Sequence, residues 1–190
     1  VATEPILGMG FKAPDGYTMA TPLGEIAQHA DVSASFNDMI IGLIPGSMGE
    51  TSVIAIAIGA VILLWTGIAS WKTMLSVFLG GGLMAVVFEQ LGMSSIPWYE
   101  HIVLGGFCFG AVFMATDPVT SARTESGKWV YGALIGIMAV VVRVMNPGYP
   151  EGMMLAILFG NMFAPLIDYC VVDRNISRRS KRGAQKNANQ

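Results

Sequence analysis

Five long runs without a charged or histidine side chain constrain the fold of this chain more than any other feature. They are Thr51–Trp71 (21 residues), Thr73–Phe88 (16), Ile102–Thr116 (15), Trp129–Val142 (14) and Gly152–Ile167 (16). Crossing a bilayer takes roughly 20 helical residues, so only the first run is comfortably long, and the others need snorkelling ends or local thinning. Five such runs in a chain of which only 13% is charged favour membrane helices over the buried helices of a soluble domain. We therefore predict an all-α polytopic membrane protein with five transmembrane helices.

The basic residues predict how these helices are oriented. If the C-terminal tail lies in the cytoplasm, five crossings put nine basic residues on that side and only Lys12 and Arg143 on the other. Basic segments favour the cytoplasm, so residues 1–50 are expected outside and the tail inside. The tail is interpreted as a topogenic signal rather than as a nucleic-acid-binding segment. The nine residues are Lys72, Arg123, Lys128, Arg174, Arg178, Arg179, Lys181, Arg182 and Lys186.

Breaks in the apolar pattern flank the first and third runs. Residues 36–44 are too few to span and meet Pro45, which indicates a short interfacial helix with a turn, or a re-entrant half-helix. Ser47 and Thr51 are expected N-caps of the helix that follows, and free amides at such an end attract phosphate, although ordinary capping explains both residues equally well. Asp117 precedes a proline, so the third helix is expected to end there.

Glycine pairs spaced four residues apart occur twice in the apolar runs. Gly132 and Gly136 form one pair, and Gly106 and Gly110 form the other. Small residues at this spacing let two membrane helices approach closely. Either pair alone is a weak signal, because the spacing arises often in glycine-rich segments.

A polar stretch ahead of the first run carries the most specific motif. Residues 15–23 read Asp-Gly-Tyr-Thr-Met-Ala-Thr-Pro-Leu. This pattern resembles an Asp-Gly-x-[Ser/Thr]-x-Ala-Thr acceptor site, in which the hydroxyl of the final threonine receives flavin mononucleotide through a phosphoester. A membrane protein that holds a redox cofactor covalently is expected to move electrons rather than solutes.

Further stretches of the same kind follow along the chain. They are Phe36-Asn37-Asp38, residues 44–52, Pro97-Trp98-Tyr99, residues 104–107, 113–119, 127–132 and 146–158, and Asn161 with residues 164–169. Together with the acceptor stretch they resemble the B-type membrane subunit of the sodium-translocating NADH:quinone reductase. Members of that family have roughly ten helices on a scaffold similar to that of urea channels, so the chain looks like their C-terminal half. The D-type subunit of the Rnf-type ferredoxin:NAD reductase forms a related family, and residues 127–129 and 146–155 favour the quinone reductase.

The resemblance implies a cofactor and its site. Thr21 would carry covalent FMN, and Asp15, Gly16, Thr18 and Ala20 would be read by the flavin transferase. Independently of the resemblance, the free amides expected near Ser47 and Thr51 would suit a flavin phosphate. The family usually has a small residue where Met19 stands, so the flavin transferase is expected to modify this chain less efficiently. If Thr21 is not the acceptor, Thr18 is the nearest competing hydroxyl.

The resemblance also implies partners and a transported ion. Electrons would arrive from a neighbouring subunit and pass toward riboflavin and quinone, whose sites lie mostly in the other half or in other subunits. Asp168 matches an acidic position implicated in sodium uptake, although a boundary carboxylate in the headgroup region is the alternative explanation. Asp117 and Glu50 are weaker sodium candidates, chosen because a carboxylate at a membrane break is costly unless it is wet, paired or coordinating a cation.

These predictions define three segments in the inner membrane of a bacterium. Residues 1–50 form an outer, periplasmic flavin-acceptor segment, residues 51–172 a five-helix membrane domain, and residues 173–190 a basic cytoplasmic tail. Two alternatives remain open at this stage: an Rnf-type subunit, and a urea- or ammonium-like channel without a redox role, since broken, glycine-rich helices suit transporters too.

Overall fold

The computed structural model describes residues 23–24, 36–42, 44, 49–94, 96–146, 148 and 151–188. Within these ranges it is helical and contains no β-strand. The elements are α1 (Phe36–Ile41), α2 (Val53–Trp65), α3 (Trp71–Gln90), α4 (Trp98–Val103), α5 (Phe107–Phe109) leading into a π-helix (Gly110–Met114), α6 (Glu125–Met145) and α7 (Met153–Ala188). The all-α membrane class predicted from the sequence is thereby confirmed.

Three of the helices are long and apolar enough to cross a membrane. They are α3, α6 and the part of α7 from Met153 to Arg182. The first apolar run is divided, because α2 has only 13 residues and ends at a turn in which Gly67 adopts a positive φ of 71°. The third run is divided too, between α4 and α5. The five predicted segments are thus three long helices and two shorter ones, which agrees with the expected broken segments.

Glycines hold α3 and α6 together along their length. A Cβ atom added to Gly136 would lie 2.6 Å from the backbone nitrogen of Gly81, and one added to Gly80 would lie 2.7 Å from the carbonyl oxygen of Ala133. Only backbones in close approach leave so little room. The Gly132/Gly136 spacing is therefore a helix contact, as the pattern suggested. The second pair is not one contact: Gly110 packs against Met153 of α7, whereas Gly106 lies at the break before α5.

Contacts at the helix ends show how the three long helices run. Trp71 and Trp129, at the starts of α3 and α6, pack edge to face with ring centroids 6.1 Å apart, so these helices are parallel. Helix α7 returns antiparallel, because Gly152 lies against Ala139 and Arg143 near the end of α6. Residues beyond 168 therefore leave the bundle where α6 begins.

The two ends of the bundle differ in charge. We call the end with Lys72, Arg123 and Lys128 the basic end, and the end with Gly105, Arg143 and Glu151 the break end. The basic tail of α7 emerges at the basic end and Arg143 lies at the other, as the sequence predicted for these residues relative to one another. Which end faces the cytoplasm remains a prediction.

Candidate functional site

The break between α4 and α5 is completed by a buried arginine. Helix α4 ends at Val103, and Gly105 has a positive φ of 64°, a conformation that glycine adopts without strain. The break leaves backbone carbonyls without helical partners. Arg143 of α6, only 7% exposed, donates to two of them, the carbonyl oxygens of His101 at 2.5 Å and Leu104 at 3.2 Å. A cation thus replaces the hydrogen bonds that a continuous helix would have made.

Two carboxylates meet at the same break. The backbone nitrogen of Gly106 donates to Oε1 of Glu151 at 2.5 Å. A Cβ atom added to Gly106 would lie 2.7 Å from that oxygen and 3.0 Å from Oε2 of Glu50. Burial raises the pKa of the Glu50 carboxyl above its ordinary value of 4.5, and repulsion by Glu151 raises it further. The break end therefore presents a pair of acidic oxygens packed closely over Gly106, where a larger residue would have to displace these two side chains.

Leu23 connects the acceptor stretch to this break. Its side chain is 4% exposed and forms a small apolar cluster with Met39, Ile96 and Leu104. It also fills the space over Gly105, where an added Cβ atom would collide with its Cδ1. The candidate residues Asp15, Gly16, Thr18, Ala20 and Thr21 lie outside the described residues, so their assignments stay predictions. Leu23 nevertheless fixes the chain two residues after the candidate acceptor.

The capping residue of α2 differs from the one expected. Ser52 is the N-cap, and its hydroxyl accepts a hydrogen bond from the backbone nitrogen of Ala55 at 3.4 Å. The prediction that Thr51 caps this helix is therefore wrong, because the helix begins one residue later than the apolar pattern suggests. Ser47 lies outside the described residues. A role for Thr51 or Ser47 near a flavin phosphate stays a prediction.

Asp168 ties α7 to the start of α6. Its carboxylate accepts hydrogen bonds from the backbone nitrogens of Arg123 at 2.8 Å and Thr124 at 3.0 Å, and from the Thr124 hydroxyl at 2.6 Å. Thr124 is the N-cap of α6, and its hydroxyl oxygen in turn accepts from the nitrogen of Gly127 at 3.1 Å. These donors already occupy the carboxylate on the protein side, so its first role is to hold two helices together.

Asp117 is satisfied within its own turn. It follows the π-helix and precedes Pro118, as the sequence predicted for the end of the third segment. Its oxygens accept from the nitrogens of Val119 at 3.3 Å and Thr120 at 3.2 Å, and from the Thr120 hydroxyl at 2.8 Å. The Thr120 hydroxyl does most to hold the pKa of Asp117 below its ordinary value of 3.8. The carboxylate is ionised, exposed to water and locally bound.

The three candidate carboxylates do not converge. Asp168 lies at the basic end and Glu50 at the break end, and the 21 residues of α6 separate these ends by about 30 Å. Within the described ranges, no group of three or more His, Cys, Asp or Glu residues is arranged to hold a metal ion.

Two residues of the break end were missed by reasoning from the sequence. Glu151 falls in a Pro- and Gly-rich turn, where an acidic residue is ordinary, and Arg143 looked like a loop cation at the end of an apolar run. The only sequence signal of this site was the pair Gly105-Gly106 inside the third run. It indicates a break in the helix but does not indicate which residues contact the break. Their contacts with the break bridge 39 to 45 positions of sequence.

Comparison with known proteins gives a consistent set of relatives. The model of the NQR2, RnfD, RnfE family matches residues 3–177. A protein of Chromohalobacter salexigens is 54% identical over 181 residues, covering 90% of this chain and 44% of the relative. Proteins of Ectopseudomonas mendocina (51% over 182 residues, 90% and 45% covered) and Klebsiella pneumoniae (50% over 187 residues, 91% and 45% covered) are similar to it in the same way.

All three relatives are named as the B-type subunit of a Na(+)-translocating NADH-quinone reductase. The chain spans slightly less than half the length of these curated relatives. The family match runs through residues 15–23, the break end and the basic end alike.

Proposed function

The chain belongs to the NQR2, RnfD, RnfE family, and on that premise we propose that it is the flavin-carrying part of the B-type membrane subunit of a sodium-pumping NADH:quinone oxidoreductase. Identities of 50% to 54% to proteins of that name support the assignment. The family model includes the Rnf-type subunits as well, so it does not separate the two types. The names of these relatives favour the quinone reductase. A channel without redox chemistry would not need a flavin-acceptor motif, so the motif in residues 15–21 disfavours that alternative.

Thr21 is the proposed point of attachment, through a phosphoester between its side-chain oxygen and the phosphate of FMN. The motif in residues 15–21, within the stretch matched by the family model, carries this proposal, and the burial of Leu23 over Gly105 indicates where the attached group would lie. Two residues of extended chain reach at most about 7 Å, so a group bound at Thr21 is tethered close to the break end. The acidic pair Glu50 and Glu151 disfavours a phosphate pressed against the break, so the phosphoester is expected on the water side of Leu23.

Aromatic side chains near Leu23 offer a surface for the flavin ring. Phe36 and Tyr99 pack edge to face at 5.2 Å, and Trp98 packs against Tyr99 at 5.9 Å. All three are exposed, and they stand on α1 and α4, next to the cluster that holds Leu23. The bound flavin would supply the one- and two-electron chemistry. The chain's own contribution is to fix its position and to provide an aromatic contact.

The proposed sodium path uses the carboxylates singled out in the sequence. Glu50 is the better placed, because its oxygens lie beside those of Glu151 and a cation would relieve the repulsion between them. Asp168 and Asp117 have oxygens already engaged by backbone and hydroxyl donors, which weakens them as ligands in this conformation. Coupling requires that their affinity for sodium change with the redox state, which implies a second arrangement of these elements.

The proposed partners follow from membership of a multi-subunit complex. They are the neighbouring subunits that deliver electrons, the flavin transferase, quinone, sodium and the bilayer, with riboflavin bound in the remainder of the full-length protein. The location is the bacterial inner membrane, with Thr21 on the periplasmic side and the C-terminus in the cytoplasm. Nine basic residues against two support that orientation.

In-gel fluorescence tests the attachment. The full-length protein, made in cells that contain the flavin transferase, is denatured and separated by electrophoresis, and covalent flavin is detected in the gel. The Thr21→Val variant is expected to lose the fluorescence. The Thr18→Ser variant, which the Asp-Gly-x-[Ser/Thr]-x-Ala-Thr pattern allows, is expected to keep it. Retained fluorescence in Thr21→Val would disprove the acceptor assignment.

A further inference from the structure

A cavity of about 600 Å³ opens at the basic end, away from the acceptor stretch and the break. Its walls are the turn between α2 and α3, the segment after the π-helix and the first turn of α6. The charged residues that line it are Lys72, Arg123, Lys128 and Glu125. Three cations and one carboxylate leave an excess of two positive charges. The cavity therefore favours an anion.

The four charged side chains differ in how they are paired. Glu125 pairs with both lysines, with Lys72 and, at 2.7 Å, with Lys128. Within the described residues the exposed guanidinium of Arg123 makes no direct ion pair, although its charge attracts the nearby carboxylate of Asp168. Ser70, the N-cap of α3, also lines the cavity and makes no side-chain capping bond, so the first turn of α3 faces it uncapped. Helix starts of this kind add to the attraction for a phosphate.

Exposed tryptophans place the cavity at the membrane surface. Trp65 ends α2 and is 88% exposed, while Trp71 and Trp129 stand near the starts of α3 and α6. Tryptophan concentrates at the level of the lipid headgroups. Trp71 itself lines the cavity, so the cavity opens where headgroup phosphates lie rather than deep in either medium.

From the cavity, its excess charge and its tryptophan border, we propose that the basic end binds the headgroup of an anionic phospholipid. The phosphate is held by Arg123 with the two lysines and the start of α3, and the acyl chains run along the exposed apolar surface of α2 and α3. Leu64 and Ile68, which line the cavity, begin that apolar surface. Basic pockets between membrane helices recognise such lipids on the cytoplasmic side, which is the side predicted for this end from its basic residues.

Native mass spectrometry of the full-length protein in neutral detergent tests the proposal. Phosphatidylglycerol and phosphatidylcholine are titrated separately, and bound lipid is counted. Phosphatidylglycerol is expected to bind at least about fivefold more tightly. The Arg123→Gln variant is expected to weaken phosphatidylglycerol roughly fivefold, the factor that corresponds to about 1 kcal/mol per basic side chain at a membrane surface, and to leave phosphatidylcholine unchanged.

Arg178→Gln is the matched control, because Arg178 is an exposed arginine of α7 outside the cavity. Equal losses in the two variants, or equal binding of the two lipids by the unaltered protein, would overturn the proposal. Inorganic phosphate distinguishes the source of the anion: displacement of the lipid by phosphate at equal concentration would make free phosphate the ligand. Ser121→Trp fills the cavity without changing charge, and undiminished lipid binding by it would also overturn the proposal.

Discussion

At each end of α6, a charged side chain forms hydrogen bonds with backbone groups that have no helical partner. The two side chains have opposite charges, and they differ in how deeply they are buried. At the start of α6, the half-buried carboxylate of Asp168 accepts from free backbone N–H groups. Near its end, the buried guanidinium of Arg143 donates to free carbonyl groups of the broken segment. Each charge has the sign that the exposed backbone dipoles require. Water can replace a lost hydrogen-bond partner at the more exposed Asp168 but not at the buried Arg143. We therefore expect the stability of the fold to depend more on Arg143 than on Asp168.

The largest expected effect is the loss of Arg143. Arg143→Met leaves the carbonyl oxygens of His101 and Leu104 without donors in a site that water does not reach. We expect about 3 kcal/mol of destabilisation, from two lost charge-assisted hydrogen bonds and the desolvated carbonyls. Thermal unfolding of the full-length protein in detergent measures it. Arg178→Met, at an exposed position on α7, serves as the control and is expected to change little. Equal stability of the two variants would contradict the role given to Arg143.

Asp168→Asn is expected to cost less, about 1–2 kcal/mol. The amide keeps one acceptor oxygen, but its NH₂ group faces the N–H donors of Arg123 or Thr124, and the charge that favours the start of α6 is gone. Asp173→Asn, five positions further along α7 and exposed, is the matched control for the same unfolding measurement. A loss larger than that of Arg143→Met would reverse the ranking of the two ends.

The smallest effect is expected from Glu50→Gln and depends on pH. The folded pKa of Glu50 lies above its ordinary 4.5, so as the pH rises through 4.5 the unfolded chain releases its proton first and the folded state loses stability. Glutamine removes this loss. The variant is therefore expected to be more stable than the parent at pH 7, by at most about 0.5 kcal/mol because the group is partly solvated. Unfolding series across pH check that the difference vanishes below about pH 4.5; a difference that grows toward acid would refute the burial of this carboxyl.

The sequence predicts the basic end better than the break end, for physical reasons. A carboxylate before a proline acts through local geometry, so the end of the third segment was predictable. The glycine pair four residues apart predicted a close helix approach but not which helix would be the partner. The break at Gly105 lies inside a uniformly apolar run. Its partners Arg143 and Glu151 come from distant segments, and only tertiary packing brings them there. For the same reason the 21-residue first run looked like one helix, although the turn at Gly67 divides it.

The covalent tether at Thr21 is the central claim, and the mass of the peptide that contains it is the most direct test. The full-length protein is isolated from cells that contain the flavin transferase and is digested, and the peptide that includes residues 15–23 is measured and fragmented. The expected mass is that of the peptide plus one flavin mononucleotide less one water, with the added mass assigned to Thr21. An unmodified peptide, or an adduct on Thr18 alone, would contradict the claim.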